Sequence, residues 1–307
     1  MRDRCVDLLA PSIASSTNPV IVDATLGLGG HTEALLTRFE NLTVIGIDRD
    51  KSALEKATAR LAPFGDRLKT AHCVFDEITE VVQSFGFIHI NGALFDLGVS
   101  SMQLDESERG FSYSQDAPLD MRMDRSKGIT AYEIVNSYEP GKLVKILRTY
   151  GEEKFATRIV ENIVKARAIA PLNSTTELAT LVKESIPAAT RRTGGNPAKR
   201  TFQALRIEAN DELGAITRAL PQALDLLMVH GRLVVMSFQS LEDRIVKEVF
   251  LEASTSKSPR NLPIELPEYA AKFSLVFRSG ETPSQSELDE NPRSASVRLR
   301  AIERVAA

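Results

Sequence analysis

The sequence predicts an open α/β sheet of parallel strands, interrupted by a helical insertion and finished by an antiparallel pair. Three observations carry this: short apolar runs alternate with helical patterns up to Asp96, the texture turns polar and then helical from about residue 105, and the βα rhythm resumes at Thr201. Strands separated by helices of about 10 to 15 residues imply right-handed βαβ units and a parallel sheet. With 307 residues, 43% hydrophobic and 26% charged, the chain suits one large domain or two modest ones.

Val20 to Thr25 reads as a buried strand, followed by the glycine-rich Leu26 to Gly30 and a helix starting near His31. Thr43 to Ile47 is a second strand ending at Asp48, and an alanine-rich helix spans 51 to 62. A short strand at 68 to 74 and a helix at 76 to 84 lead to Gly92 to Phe95, which ends at Asp96. Residues 105 to 127 are loop-like, and 130 to 186 are helical in segments divided by Pro140, Gly151 and Pro171. Thr201 to Leu227 reads as one long amphipathic helix, Gly231 to Met236 as a strand and Leu241 to Leu251 as a helix. The Pro- and Ser-rich 254 to 267 is a loop. Phe273 to Phe277 and Ser296 to Ile302 alternate with period two, as a closing antiparallel pair does.

Composition removes several function classes. Cys5 and Cys73 cannot form a disulfide framework, and the four histidines lack metal-ligand spacing, so no metal is expected. No run of about 18 apolar residues exists, and the opening stretch has too short an apolar core for export, so no membrane association and a cytoplasmic location are expected. With 38 basic and 41 acidic residues the net charge is −3, so any nucleic acid must meet a local basic patch.

Ligands of open α/β sheets bind beyond the carboxyl ends of the strands. Gly27, Gly29 and Gly30 let the backbone approach a ligand closely there. Asp48, 21 residues after Gly27, is placed for a ribose diol, and Asp96 ends the fourth strand at the same crevice. A dinucleotide fingerprint fails, because the sixth position after Gly27 and Gly29 is Thr32. S-adenosylmethionine fits better: it has no pyrophosphate to demand a third glycine, and its ribose still wants the acid after strand two. The closing antiparallel pair also belongs to a class I methyltransferase sheet, a Rossmann-like fold.

Several blocks resemble one family: Asp23 to His31, Gly46 to Asp50, Phe95 to Asp105, Glu108 to Ser112, Pro118 to Asp124, Tyr150 to Ala156, Arg200 to Arg206, Ser237 to Arg244 and Asn291 to Arg293. The resemblance, over nearly the whole chain, is to the bacterial 16S ribosomal RNA cytosine N4-methyltransferases, the RsmH or MraW family. It implies S-adenosylmethionine-dependent methylation of a cytidine amine in the decoding region of 16S ribosomal RNA within the small subunit. It also implies a class I methyltransferase domain at 1–104 and 201–307, interrupted by a helical, substrate-recognising insertion at 105–200. Carried over by position, Gly29, Gly30 and His31 hold the methionine end, Asp48 the ribose, Phe75 the adenine face, and Asp96 and Gln103 the methionine end or nearby crevice.

Three departures accompany the resemblance. The family's His-x-Pro-Val stretch precedes its first helix, whereas this chain starts about where that stretch should end, so an ordered piece over the active site is expected to be missing. Gln239 occupies the histidine place of the family's SFHSLEDR block, and no catalytic role is assigned to it. Asn91 stands where Asp is common.

A cytosine amine is a weak nucleophile, because its lone pair is delocalised into the ring. Acceptors on its protons and in-line alignment lower the barrier. Asp96, or the carbonyls of Leu97 and Gly98, could accept; equally, Asp96 could only orient the cofactor's ammonium. Reaching the amine requires an unstacked base. Phe111 and Tyr113 either stack on that base or pin their loop to the core. Arg191, Arg192, Lys199, Arg200 and Arg206, with no acid among Pro187 to Ile207, are either a phosphate-binding patch or a solvated surface. Asp120, Arg122 and Asp124 could form an internal salt-bridged knot. A homodimer is left open. Two other functions compete: a nicotinamide-dependent oxidoreductase, and a non-catalytic assembly factor that binds ribosomal RNA.

Overall fold

The structure, a computed structural model, describes residues 1–188, 196–259 and 269–307. Two compact units divide the chain, one of Met1–Gly98 with Leu213–Ala307 and one of Val99–Glu212.

The first unit is built on seven strands: β1 (Val20–Asp23), β2 (Thr43–Asp48), β3 (Leu68–His72), β4 (Ile90–Asp96), β5 (Leu227–Ser237), β6 (Phe273–Leu275) and β7 (Arg298–Arg304). They lie in the order β3-β2-β1-β4-β5-β7-β6. β1 to β5 run parallel to one another, whereas β7 is antiparallel to both β5 and β6. This is the class I methyltransferase sheet, with the predicted antiparallel closure. The order reverses beside β1, so the β1–β4 step is the topological switch point at which such sheets bind ligands.

Helices cover both faces, which is why β1 and β4 read as unbroken apolar runs rather than alternating ones. One face packs α1 (Arg2–Ala14) and α2 (Gly30–Arg38) against Ile21, Val44, Leu94 and Val234. The other sets Val22, Ile45, Phe95 and Val235 against α4 (Ile78–Ser84), α11 (Glu212–Leu226) and α12 (Ser240–Ala253). The helix α3 (Lys51–Leu61) closes over Leu26 through Ala57 and Leu61, and its first turn is capped by Asp50, which accepts from the Ser52 and Ala53 amides.

The second unit is helical: α5 (Ser101–Asp105), α6 (Ala131–Ser137), α7 (Pro140–Gly151), α8 (Ala156–Arg167), α9 (Thr175–Ser185) and α10 (Lys199–Asn210). Thr130 with Glu133 and Ser174 with Glu177 form reciprocal capping boxes that start α6 and α9. Apolar stripes of α7, α8, α9 and α10 bury Leu147, Ile159, Leu178 and Phe202 in one core.

Three elements differ from the sequence reading. The sequence pattern assigns no element before Val20, where only the resemblance implies a first helix, yet Cys5, Leu8, Leu9 and Ile13 recur at helical spacing and are buried. The long helix expected at Thr201 to Leu227 is two helices, because Asp211 takes a left-handed conformation (φ 49°) between α10 and α11. Asn210 stabilises the break: its side chain accepts from the Met123 amide and donates to the Met121 and Arg206 carbonyls. Finally, β5 begins at Leu227, four residues before the expected Gly231, and Met228 to His230 lie exposed there.

Candidate active site

In the first unit, the carboxyl ends of β1, β2, β4 and β5 gather an unusual number of buried polar groups. Asp23 ends β1 and accepts from Thr32 Oγ1 at 2.7 Å. Thr25, just beyond, accepts the Asp96 amide on its hydroxyl at 2.7 Å, fastening the end of β4 to that of β1. Asp48 ends β2 and accepts the Gly27 amide on Oδ2 and the Asp50 amide on Oδ1, both at 2.7 Å. Each of its oxygens keeps a second acceptor direction.

The turn from β1 into α2 requires glycine at one position above all. Gly29 caps α2 with φ 78°, and a Cβ there would stand 2.7 Å from Leu61 Cδ1. A side chain would thus be both strained and crowded. At Gly30 an added Cβ would meet nothing within 4 Å, so the space over the start of α2 is open.

Asp96 and His31 face each other across this opening, with Oδ2 and Nδ1 3.8 Å apart, too far for a hydrogen bond. The Asp96 side chain is 31% exposed, yet its Oδ1 is covered and lacks a hydrogen-bond partner, as does His31 Nε2. Burial, helped by the charges of Asp23 and Glu242, pushes the Asp96 carboxyl up to about 7. Burial raises Asp23 to about 6 against the hydrogen bond from Thr32, which favours its anion. Burial raises Asp48 against the amides that favour its anion, and lowers His31 to about 4, so the imidazole is neutral at pH 7. Buried groups with displaced proton affinities and unfilled hydrogen-bonding capacity mark a ligand site.

The donor set suits S-adenosylmethionine. Carboxylates can receive its cationic end and ribose, a helix start lies open to its carboxylate, and Asp96 Oδ1 and His31 Nε2 await partners. Phe75 stands in a 3₁₀ turn after β3, packed edge-on against Phe95 with ring centroids 5.5 Å apart. Gly29, Gly30, His31, Asp48, Phe75 and Asp96 therefore all belong to the first unit. Among the described residues no group of His, Cys, Asp and Glu could hold a metal, and no helix is long and apolar enough to cross a membrane.

The other predicted residues are placed differently. Gln103 lies in the second unit, where its side-chain oxygen accepts the Ser100 amide and its own amide donates to Ser100 Oγ, capping α5. Phe111 is only 7% exposed and sits in the helical core under the Arg109 guanidinium. Tyr113 packs edge-on against Phe202. Arg206 is engaged in a two-pronged pair with Glu212 at 2.8 and 2.9 Å. Lys199 and Arg200 open α10 and are exposed, Arg200 donating to the Glu152 carbonyl. Arg191 and Arg192 lie outside the described residues. Of the expected knot, Asp120 and Arg122 are bonded at 2.7 and 3.0 Å, with Arg125 3.7 Å from Asp120, and Asp124 lies 3.8 Å from Lys127.

Sequence reasoning gave no separate role to Asp23, Thr25, Ser237 or Glu242. Each ends or follows a strand of the crevice, and that position was the available signal. Ser237, 1% exposed at the end of β5, has no hydrogen-bond partner for its hydroxyl.

Residues 1–305 match the model of the MraW methylase family. The ribosomal RNA small subunit methyltransferase H of Renibacterium salmoninarum is 56% identical over 309 residues, covering 99% of this chain and 93% of that one. Its namesake from Streptomyces avermitilis is 52% identical, covering 99% and 96%, and that from Mycobacterium leprae 54%, covering 98% and 83%. The match spans both units and every strand end of the crevice: the chain belongs to the MraW methylase family, whose members are S-adenosylmethionine-dependent methyltransferases.

Proposed function

We propose that this enzyme methylates the N4 amine of a cytidine in the decoding region of 16S ribosomal RNA, within the small ribosomal subunit. The relatives' names support a small-subunit RNA substrate. The observation that carries the chemistry is Asp96: a carboxylate at the end of β4, reachable from the crevice, with one oxygen still without a partner.

Bound at the crevice, S-adenosylmethionine supplies an electrophilic methyl group on a sulfonium. The Gly29–Gly30 start of α2 and His31 hold its methionine end, Asp48 its ribose and Phe75 its adenine. Asp96 accepts a proton of the cytidine amine, drawing the nitrogen lone pair out of the ring as the N–methyl bond forms and the methyl–sulfur bond breaks, its electron pair staying on the sulfur of the departing S-adenosylhomocysteine, and afterwards releases that proton to water. Only the ionised carboxylate can do this, and a cationic ligand beside it favours that form. Residues 105–200 recognise the RNA, with Lys199 and Arg200 meeting phosphates; Phe111 and Tyr113 hold their loop rather than stack on the base.

Transfer of a tritiated methyl group to small subunits from a strain lacking the enzyme tests this reading. Incorporation is expected; its absence would favour the non-catalytic assembly factor. Asp48→Ala should weaken donor binding by about 1–2 kcal/mol, the worth of a charge-assisted hydrogen bond. Calorimetry showing unchanged affinity would remove the ribose assignment.

A further inference from the structure

Glu242, near the start of α12, is 1% exposed, an uncommon place for an acid. Its Oε2 accepts the Phe238 amide at 2.8 Å and the Gln239 amide at 3.2 Å, and its Oε1 accepts Gln239 Nε2 at 2.8 Å. Three N–H donors on one carboxyl suit an anion. Capping the helix, however, requires only an acceptor oxygen, which a glutamine supplies equally well.

The same carboxylate reaches toward the strand ends. Its Oε1 is 4.0 Å from where a Cβ on Gly98 would stand, two residues past Asp96. With Asp23 it is one of the two charges that oppose ionisation of Asp96. The charged and titratable groups interacting with Asp96 are thus Asp23 from β1, His31 from α2, Glu242 from α12, and Cys5 from α1 with the Met1 ammonium preceding it. Negative groups dominate, since His31 is neutral at pH 7.

We propose that Glu242 is a specificity-determining residue whose fixed negative charge makes this crevice prefer the methyl donor to the demethylated product. The inference rests on the crevice being the donor site. Donor and product share their adenosine and amino-acid parts and differ by one methyl and one positive charge on sulfur. Contacts to the shared parts cannot separate them, whereas a surplus of buried negative charge can. Preference for the donor clears the product after each transfer.

Glu242→Gln tests this by calorimetry with S-adenosylmethionine and S-adenosylhomocysteine at pH 7.5. The variant retains an acceptor for the two backbone amides. Gln239 can also turn its amide to offer the new side chain its Oε1, which has no hydrogen-bond partner in the wild type. Donor affinity should fall about tenfold, or about 1.4 kcal/mol, with product affinity within about twofold of wild type. Equal losses for both ligands, or no loss for either, would overturn the proposal. A second measurement uses the unaltered chain: at pH 6.5, in two buffers of different ionisation enthalpy, donor binding should release more protons than product binding. Equal release would overturn it. A wild-type chain that binds neither ligand would instead bring down the donor-site reading, and this inference with it.

Discussion

Asp96→Asn is expected to slow methyl transfer by about 10²–10³-fold while stabilising the ligand-free protein at alkaline pH. Asparagine matches the shape but cannot take a proton from the cytidine amine. The stability effect follows from where Asp96 ionises, near 3.8 as an ordinary carboxyl and near 7 in the fold. A carboxyl raised on folding supports the folded state fully at pH below about 4 and loses that support as pH climbs through about 7. Asn has no such loss, so its melting temperature should exceed wild type more at pH 8 than at pH 5. Asp23, raised to about 6, loses support in the same direction. His31, lowered to about 4, does the reverse: its contribution is present above about 6.5 and fades on acidification. Single-turnover rates and melting curves at the two pH values check both halves. A variant with wild-type rate would remove Asp96 as the proton acceptor.

Gly110→Ala should be the most damaging small change in the helical unit. Gly110 has φ 74°, and a Cβ there would lie 2.2 Å from the Pro118 carbonyl oxygen and 3.1 Å from the Asp120 amide nitrogen. Both obstacles are backbone, so the loop itself must move. That loop is tied down on either side. Arg109 is buried and donates through Nη2 to the Met123 carbonyl at 2.8 Å, while its own carbonyl accepts the Met121 amide at 3.1 Å. A cost of about 3 kcal/mol or more is expected from left-handed strain and displaced backbone together. Gly141→Ala is the control: in α7, with nothing within 4 Å of the added Cβ, it should be neutral or stabilising by about 0.5–1 kcal/mol. Urea unfolding of both variants measures the contrast, and equal midpoints would contradict this account of the loop.

The parallel sheet was legible because its strands are buried on both faces, so apolar runs such as Val20 to Val22 and Ala93 to Phe95 stand out against amphipathic helices. The position of Asp48 and Asp96 at the crevice was legible for a related reason: an acid closing an apolar run must lie where the strand emerges. The break at Asp211 was not legible, because it depends on Asn210 finding partners near Met121 and Met123, far away in the chain. The same holds for Arg206, whose charge points to phosphate in the sequence while its Nε and Nη2 donate to Glu212 in the fold. Glu242 has no role legible in the sequence, and its charge matters only because the chain leaving β4 passes beside it at Gly98. Partners set by tertiary packing are invisible to local pattern, whereas burial and periodicity are not.

Nucleoside mass spectrometry of 16S ribosomal RNA, after small subunits from a strain lacking the enzyme are incubated with this protein and a methyl-deuterated donor, tests the central claim most directly. Deuterated N4-methylcytidine is predicted at a single position, forming far more slowly with Asp96→Asn. Label on another nucleoside, or none with the wild-type protein, would contradict it.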